Sequence, residues 1–268
     1  MPQSPLRVLF ISQEITPYLP ETIMSQLCRK LPQSVQENGL EIRIFMPRFG
    51  CINERRNQLH EVQRLSGMNL IINDTDHPLI IKVASIQAAR MQVYFIDNED
   101  YFQRKAVFTD EKGEEFDDNE DRSIFFVRGV LETIKKLRWT PDIIHCHGWM
   151  TALTPLYVKK VYSDDPFFST SKIVYSLYDD RFKKMFSKDF SEKLMMDGIN
   201  DDDVSLIKEK EVSYEDLSKL AINFSDAVIA GTENADADLL KYAKNHHKKM
   251  LGYVEDYVQP YISLYQSL

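Results

Sequence analysis

The sequence predicts an α/β fold: a single parallel sheet with helices on both faces and an antiparallel β insertion. Three observations carry that prediction. Short continuous apolar runs such as RVLFIS (Arg7–Ser12) and KIVYSL (Lys172–Leu177) have the pattern of strands buried on both faces. Longer segments between such runs repeat apolar residues at intervals of three and four, as helices do. From residue 59 to residue 96 the character changes to strand-like runs separated by turn residues, too close together to enclose helices.

Taken in order, the first strand is followed from residue 21 by ETIMSQLCRKLPQSVQENG, in which Ile23, Leu27, Leu31 and Val35 fall on one helical face and Gly39 supplies the stop. Pro32 inside this run predicts a kink. Residues 41–46, EIRIFM, alternate and stop at Pro47, which completes a β-α-β unit and hence a right-handed crossover. The runs LHEVQRLSGMNLIIN, PLIIKVASI and MQVYFID form the antiparallel insertion. Residues 108–119, FTDEKGEEFDDN, read as an exposed acidic loop ending at an N-cap, Asp117 or Asp118. Ile124, Val127, Leu131 and Ile134 then mark a helix over residues 119–138.

A strand at 142–145, a helix at 151–161 and the strand Lys172–Leu177 follow. Residues 179–213 are charged and irregular and read as an excursion over the surface. Ser213 with Asp216 three residues on has the form of a capping box opening a helix to residue 224. A last strand spans 225–232 and a helix 234–246. In the tail, Tyr257, Tyr261, Leu264 and Leu268 recur at helical spacing, which fits either packing onto the domain or a dimer face. The organisation expected is one domain over residues 5–250 and a C-terminal helix within 251–268.

Composition narrows the function classes. The 268 residues, 43% hydrophobic and 28% charged, suffice for one large core. A net charge of −8 leaves no broad basic face, so nucleic acid is not an expected partner. The basic cluster KNHHKK at 244–249 reads as a helix C-terminus. No stretch approaches the roughly 20 apolar residues of a membrane span, and the N-terminus lacks a basic region and cleavage site, so a cytoplasmic protein is expected. Cys28, Cys51 and Cys146 have no ligand spacing and read as free buried thiols; no metal and no cofactor is expected.

The chemistry-bearing stretch is PDIIHCHGWMTALTP, residues 141–155. His145 and His147 alternate around Cys146, so a strand places both imidazoles on one side of the sheet. His147, at the strand's end where solvent begins, reads either as a substrate-binding or proton-relay residue or as a structural histidine. Trp149 either stacks on a sugar ring or fills the core, and Gly148 either opens room for a ligand or eases the bend. Glu14 follows the first strand at the same edge, where a carboxylate can accept hydrogen bonds from ligand hydroxyls. Its loop is stiffened by Pro17 and Pro20 and has no glycine, which suits it poorly to cradling a phosphate. Arg122 reads as an anion contact or, more commonly for such a residue, half of a local salt bridge.

The blocks RVLFISQEITP, EIRIFMPRFG, VYFIDNEDYF, DDNEDRSIFFVRGVLETIKKLRWTPDIIHCHGWMTALTPLYVKK and FSDAVIAGT occur in the same order as matching blocks of bacterial glycogen and plant starch synthases. Over nearly all of its first 240 residues the chain resembles the N-terminal, acceptor-side half of that GT-B glycosyltransferase family. The resemblance implies one Rossmann-like half of a GT-B fold, as in a short Bacteroides-type subgroup without the ADP-glucose-binding half. It implies a role in glucan metabolism and a glucan or a sugar nucleotide as ligand. A partner chain or a second copy would complete the site. Glu14, His147 and Trp149 are the substrate-binding residues it implies, with His147 the catalytic candidate if the chain is active.

The departures are as informative. Where the family has a Lys-Thr-Gly-Gly-Leu loop that receives the donor's phosphates, this chain has Pro20, Glu21, Thr22, Ile23 and Met24. Gly148 replaces an aspartate and Met150 a polar residue in the family's histidine motif, and Ser176, Leu177, Tyr178 and Asp179 stand in place of Thr-x-His-Asn. The resemblance leaves two expectations: a glycogen synthase-like glycosyltransferase, inactive alone, whose half-site is completed by another chain or used with an altered donor, or a non-catalytic relative, a pseudoenzyme, that binds a glucan, a sugar nucleotide or a partner.

Overall fold

The computed structural model describes residues 5–268. Strands β1 (Arg7–Ser12) and β2 (Glu41–Pro47) flank helix α1 (Ile23–Glu37) and pair in parallel, Val8 beside Ile42 and Phe10 beside Ile44. Thr22 caps α1: its Oγ1 accepts from the Ser25 N–H, and the Ser25 hydroxyl oxygen accepts from the Thr22 N–H. The helix buries Met24, Leu27, Cys28, Leu31 and Val35. Ile23, expected on that face, is instead 60% exposed, because it is the first helical residue and stands outside the packed stripe. Pro32 lies buried in a helix that continues to Glu37.

The insertion comprises β3 (His60–Glu61), β4 (Met68–Ile72) and β5 (Thr75–Ile86), with β3 and β4 antiparallel to β5. The run MQVYFID becomes β6 (Met91–Asp97), which is antiparallel to β5 but parallel to β2. It therefore belongs to the parallel sheet as well as to the insertion. Its near-continuous burial, against the alternating burial of β4, is the physical difference. The short helix α2 (Glu99–Phe102) follows, capped by Asn98. Helix α3 (Asn119–Leu137) begins after Asp118, but the Asp118 carboxylate makes no cap and pairs with Arg104 at 2.6 Å. Ile124, Val127, Leu131 and Ile134 are all fully buried.

Beyond α3 come β7 (Ile143–His147), a 3-10 turn at Trp149–Thr151, α4 (Thr154–Lys160), β8 (Lys172–Leu177) and α5 (Phe190–Lys193). Then follow α6 (Tyr214–Phe224), β9 (Ala227–Ala230), α7 (Ala237–Asn245), β10 (Lys249–Leu251) and α8 (Val258–Gln266). The strand order is β10-β9-β8-β7-β1-β2-β6-β5-β3, with β4 beside β5, and every pairing from β10 to β6 is parallel. α6 opens with the Ser213–Asp216 capping box. β10, a three-residue edge strand, has too little apolar pattern to be read from sequence. Among the described residues no helix is long and apolar enough to cross a membrane.

Three expectations are corrected. Residues 179–213 are no bare excursion: Phe182, Phe186, Phe190, Ile207 and Val212 are buried. The Glu120 carboxylate pins the segment by accepting from the Ser187 N–H and from Lys193 Nζ, both at 2.6 Å. Arg122 makes neither salt bridge nor anion contact. It is fully buried, donates to the Val107 carbonyl and to Asn119 Oδ1 at 2.7 Å, and lies over the Phe49 and Phe102 rings. That burial lowers its pKa to about 9. Of the cysteines, Cys28 and Cys146 are buried, but Cys51 is exposed.

The tail helix α8 packs against α1. Tyr261, Leu264 and Tyr265 are buried within the chain itself, and the Tyr265 hydroxyl lies 2.6 Å from His145 Nδ1. The other ring nitrogen of His145 meets Ser176 Oγ at 2.7 Å, so the imidazole is satisfied on both sides. Replacing Tyr265 by Phe keeps the ring but orphans a buried nitrogen. Urea unfolding of Tyr265→Phe is expected to show a loss of about 1–3 kcal/mol, and unchanged stability would remove the hydrogen bond as an anchor of the tail.

Candidate functional site

Register brings the chemistry to one edge. Ser12 at the end of β1 is level with His147 of β7, and His147 with Ser176 of β8. The segments that leave these strands carry Gln13 and Glu14, Gly148 and Trp149, and residues 178–182. They enclose a cavity of about 450 Å³ at the carboxyl edge of the sheet, where open α/β sheets place their ligands. The acidic loop 108–119 also reaches it, folded back by a bridge between Thr109 and Glu115.

The three residues expected to bind substrate fare differently. Glu14 lines the cavity and is partly exposed, with its Oε1 accepting from the Thr22 hydroxyl at 2.6 Å. Trp149 lines it too but is 3% exposed, its ring packed by Phe108 and Phe182 with centroids 4.8 and 5.2 Å away. It is first of all a core residue.

His147 lies outside the cavity lining and is fully buried. The strand runs two residues further than expected, because His147 pairs with both β1 and β8. Its Nδ1 is 2.8 Å from the Tyr178 hydroxyl, and its ring lies 3.8 Å from that of His145. Nε2 has no hydrogen-bond partner among the described residues. Burial lowers the pKa of His147 to about 3, and burial together with the neighbouring His147 holds His145 well below the usual value. Both rings are buried and held neutral, behind the cavity lining rather than at it.

Gly148 answers to packing. At φ +86° its backbone favours glycine, and an added Cβ would sit 2.3 Å from the Gln13 side chain. Gln13 Oε1 in turn accepts from the Met150 N–H at 3.1 Å, so the close approach fixes the turn into the Trp149 segment.

Sequence reasoning missed Asp180, Arg181 and Glu115, and noted Tyr178 and Asp179 only as departures from the family motif. Asp180 accepts from the Trp149 N–H at 2.8 Å and from the Tyr214 hydroxyl at 3.0 Å, and burial raises its pKa to about 6. Burial also raises Glu14, with the charge of Asp180 adding to the effect. Arg181 is already paired with Glu215 and Asp236. Glu115 accepts from the N–H groups of Lys183 and Lys184. The signal was the sequence YDDR directly after an apolar strand, where polar side chains emerge at a sheet edge. Four carboxylates, Glu14, Glu115, Asp179 and Asp180, thus face the cavity with one guanidinium. Among the described residues no cluster of three His, Cys, Asp or Glu side chains is placed to hold a metal ion.

The family model of the starch synthase catalytic domain matches residues 7–251. This chain belongs to that family. It is similar to the glycogen synthase of Chlorobium limicola, 40% identical over 174 residues that cover 65% of this chain and 36% of that protein. The glycogen synthase of Chlorobium phaeovibrioides is 33% identical over 239 residues, covering 85% of this chain and 48% of its own. The catalytic domain of starch synthase IV from Arabidopsis thaliana bound to ADP and acarbose has the same fold. It gives a TM-score of 0.74 at 19% identity over 94% of this chain and 52% of that one. This family member spans about a third to a half of the length of the curated relatives it matches.

The buried titrating groups of this starch synthase relative set opposite pH dependences. His147 is neutral when folded but takes a proton near pH 6.5 when unfolded, so its contribution is complete above that pH and is lost on acidification. Asp180 holds its proton from about pH 6 downward when folded and so adds stability as pH falls. Between about pH 6 and pH 4, His147→Gln is expected to make the acid loss of stability shallower by about 1.4 kcal/mol per pH unit, and Asp180→Asn to make it steeper by a similar amount. Urea titrations at stepped pH read both slopes; parallel curves for wild type and His147→Gln would contradict the buried neutral imidazole.

Proposed function

We propose that this chain is a glucan-binding member of the starch synthase catalytic domain family that does not itself transfer glucose. The observation that carries the reading is the closed, acidic state of the α1 terminus where the family's phosphate loop would lie. A helix N-terminus attracts phosphate through free N–H groups and its positive dipole end. Here the Ser25 N–H is taken by Thr22 Oγ1, the Thr22 N–H by Ser25 Oγ, and the Thr22 hydroxyl by Glu14. Ile23 adds a branched side chain where the family has glycine, Pro20 stands where it has lysine, and Glu21 puts an acid beside that place.

A nucleotide diphosphate in this cleft would face Glu14, Glu115, Asp179 and Asp180 with only the already paired Arg181 to offset them. Glycosyl transfer needs the charge on the leaving diphosphate stabilised in the transition state. This arrangement opposes it. The same carboxylates suit a neutral polyhydroxyl ligand, because hydroxyls donate charge-assisted hydrogen bonds to them. Phe108 and Phe182 on the cavity wall supply apolar contact for ring faces. Of the two ligands carried by the Arabidopsis structure, ADP and acarbose, the chemistry of this cleft favours the carbohydrate.

Isothermal titration is expected to give binding of malto-oligosaccharide and none of ADP, ADP-glucose or UDP-glucose. Glu14→Gln should weaken the oligosaccharide by about tenfold or more, the worth of a charge-assisted hydrogen bond. Incubation with either sugar nucleotide and glycogen should yield no glucose incorporation. Turnover that vanishes in Glu14→Gln, or nucleotide affinity exceeding that for the oligosaccharide, would sink the proposal.

A further inference from the structure

A second hollow, of about 300 Å³, adjoins the cleft, and Ile23 lines both. Its apolar surface comes from Ile23 and Leu27 of α1 and from Tyr253 and Tyr257 in the segment between β10 and α8. Ile23 is 60% and Tyr253 39% exposed, unlike the rest of the large apolar side chains on α1 and α8. An exposed branched residue shared by the two hollows, with an exposed aromatic in the second, offers apolar surface leading out of the cleft.

Of the polar side chains around this hollow, Gln26 donates to Glu21 at 3.1 Å and four others are uncommitted. The Tyr253 and Tyr257 hydroxyls, Lys30 Nζ and the Glu255 carboxylate line it, and among the described residues none of them makes a side-chain hydrogen bond or ion pair. Lys30 and Glu255 bring opposite charges that cancel. An anion would meet Glu255 as well as Lys30, and a purely apolar ligand would leave all four polar groups without partners. A ring with an apolar face and hydroxyls at its rim satisfies the aromatic surface and the polar groups together.

We propose that this hollow is a second sugar subsite, and that a glucan seated in the acidic cleft continues across Ile23 to stack on Tyr253. The proposal rests on the glucan reading of the cleft. It assigns chain-length selectivity to residues 253–257, which lie beyond the matched family domain at residues 7–251. Glu14 governs the first sugars and Tyr253 the later ones.

The experiment compares maltose with maltoheptaose by isothermal titration on the full chain. Wild type is expected to bind maltoheptaose about tenfold more tightly than maltose, the scale of one added stacking contact with its hydrogen bonds. Tyr253→Ala should leave maltose affinity unchanged and remove most of that gain, while Tyr253→Phe, which keeps the ring, should retain it. Glu14→Gln should weaken both ligands alike. Equal affinities for the two sugars in wild type, or an undiminished gain in Tyr253→Ala, overturn the second subsite while leaving the cleft reading standing. Absence of binding by either sugar overturns the cleft reading and the subsite with it.

Discussion

The hydrogen bond between Tyr178 and His147, 2.8 Å long inside a dry sheet edge, is the contact around which this end of the molecule is arranged. Parallel register fixes one partner, since His147 is held between β1 and β8. The tyrosine closes the edge from above. Its carbonyl accepts from the Tyr214 hydroxyl at 3.1 Å, tying β8 to α6, and its ring lies so near Gly231 that an added Cβ there would approach within 2.7 Å. With Tyr178 turned inward, Asp179 and Asp180 emerge next, at the cavity wall. One inward aromatic therefore does two things: it removes the imidazole from solvent and presents carboxylates in its place.

What was legible in the sequence was what local chemistry decides. β1 and β8 were read to the residue, because runs buried on both faces need no knowledge of their partners. α6 was read equally well from the reciprocal bonds between Ser213 and Asp216. The misreadings that matter at the site involve partners distant in the chain. β6 changes class because it meets β2, and His147 is dry because it meets Tyr178, 31 residues away. His145 is satisfied by Tyr265, 120 residues away. At the site itself, Glu14 could be placed because it follows a confidently read strand. Glu115 could not, since the bridge to Thr109 and the distant N–H groups of Lys183 and Lys184 hold it there.

The burial of the two histidines and the exposure of the carboxylates have a common electrostatic origin. Neutral imidazoles tolerate the dry interior at the cost of lowered pKa values. The carboxylates need either water or donors, and each finds them at the rim: Glu14 from Thr22, Asp180 from Trp149 and Tyr214, Glu115 from two backbone N–H groups. The donors are directed at the protein's own anions, so little positive potential remains for an anion from outside. The proposed preference for a neutral ligand rests on that distribution of donors more than on the shape of the cavity.

The self-capped start of α1 makes the change difficult to retrace. A lysine returned to position 20 would stand beside a helix end where the Thr22 and Ser25 N–H groups are still engaged by each other's side chains and whose approach is still covered by Ile23. Removing Ile23 alone would open the approach to a terminus without a cation, and breaking the capping box alone would cost helix stability with no ligand to offset it. A phosphate site at this helix end therefore needs the cation, the small residue and the uncapped terminus together, and no one substitution supplies it.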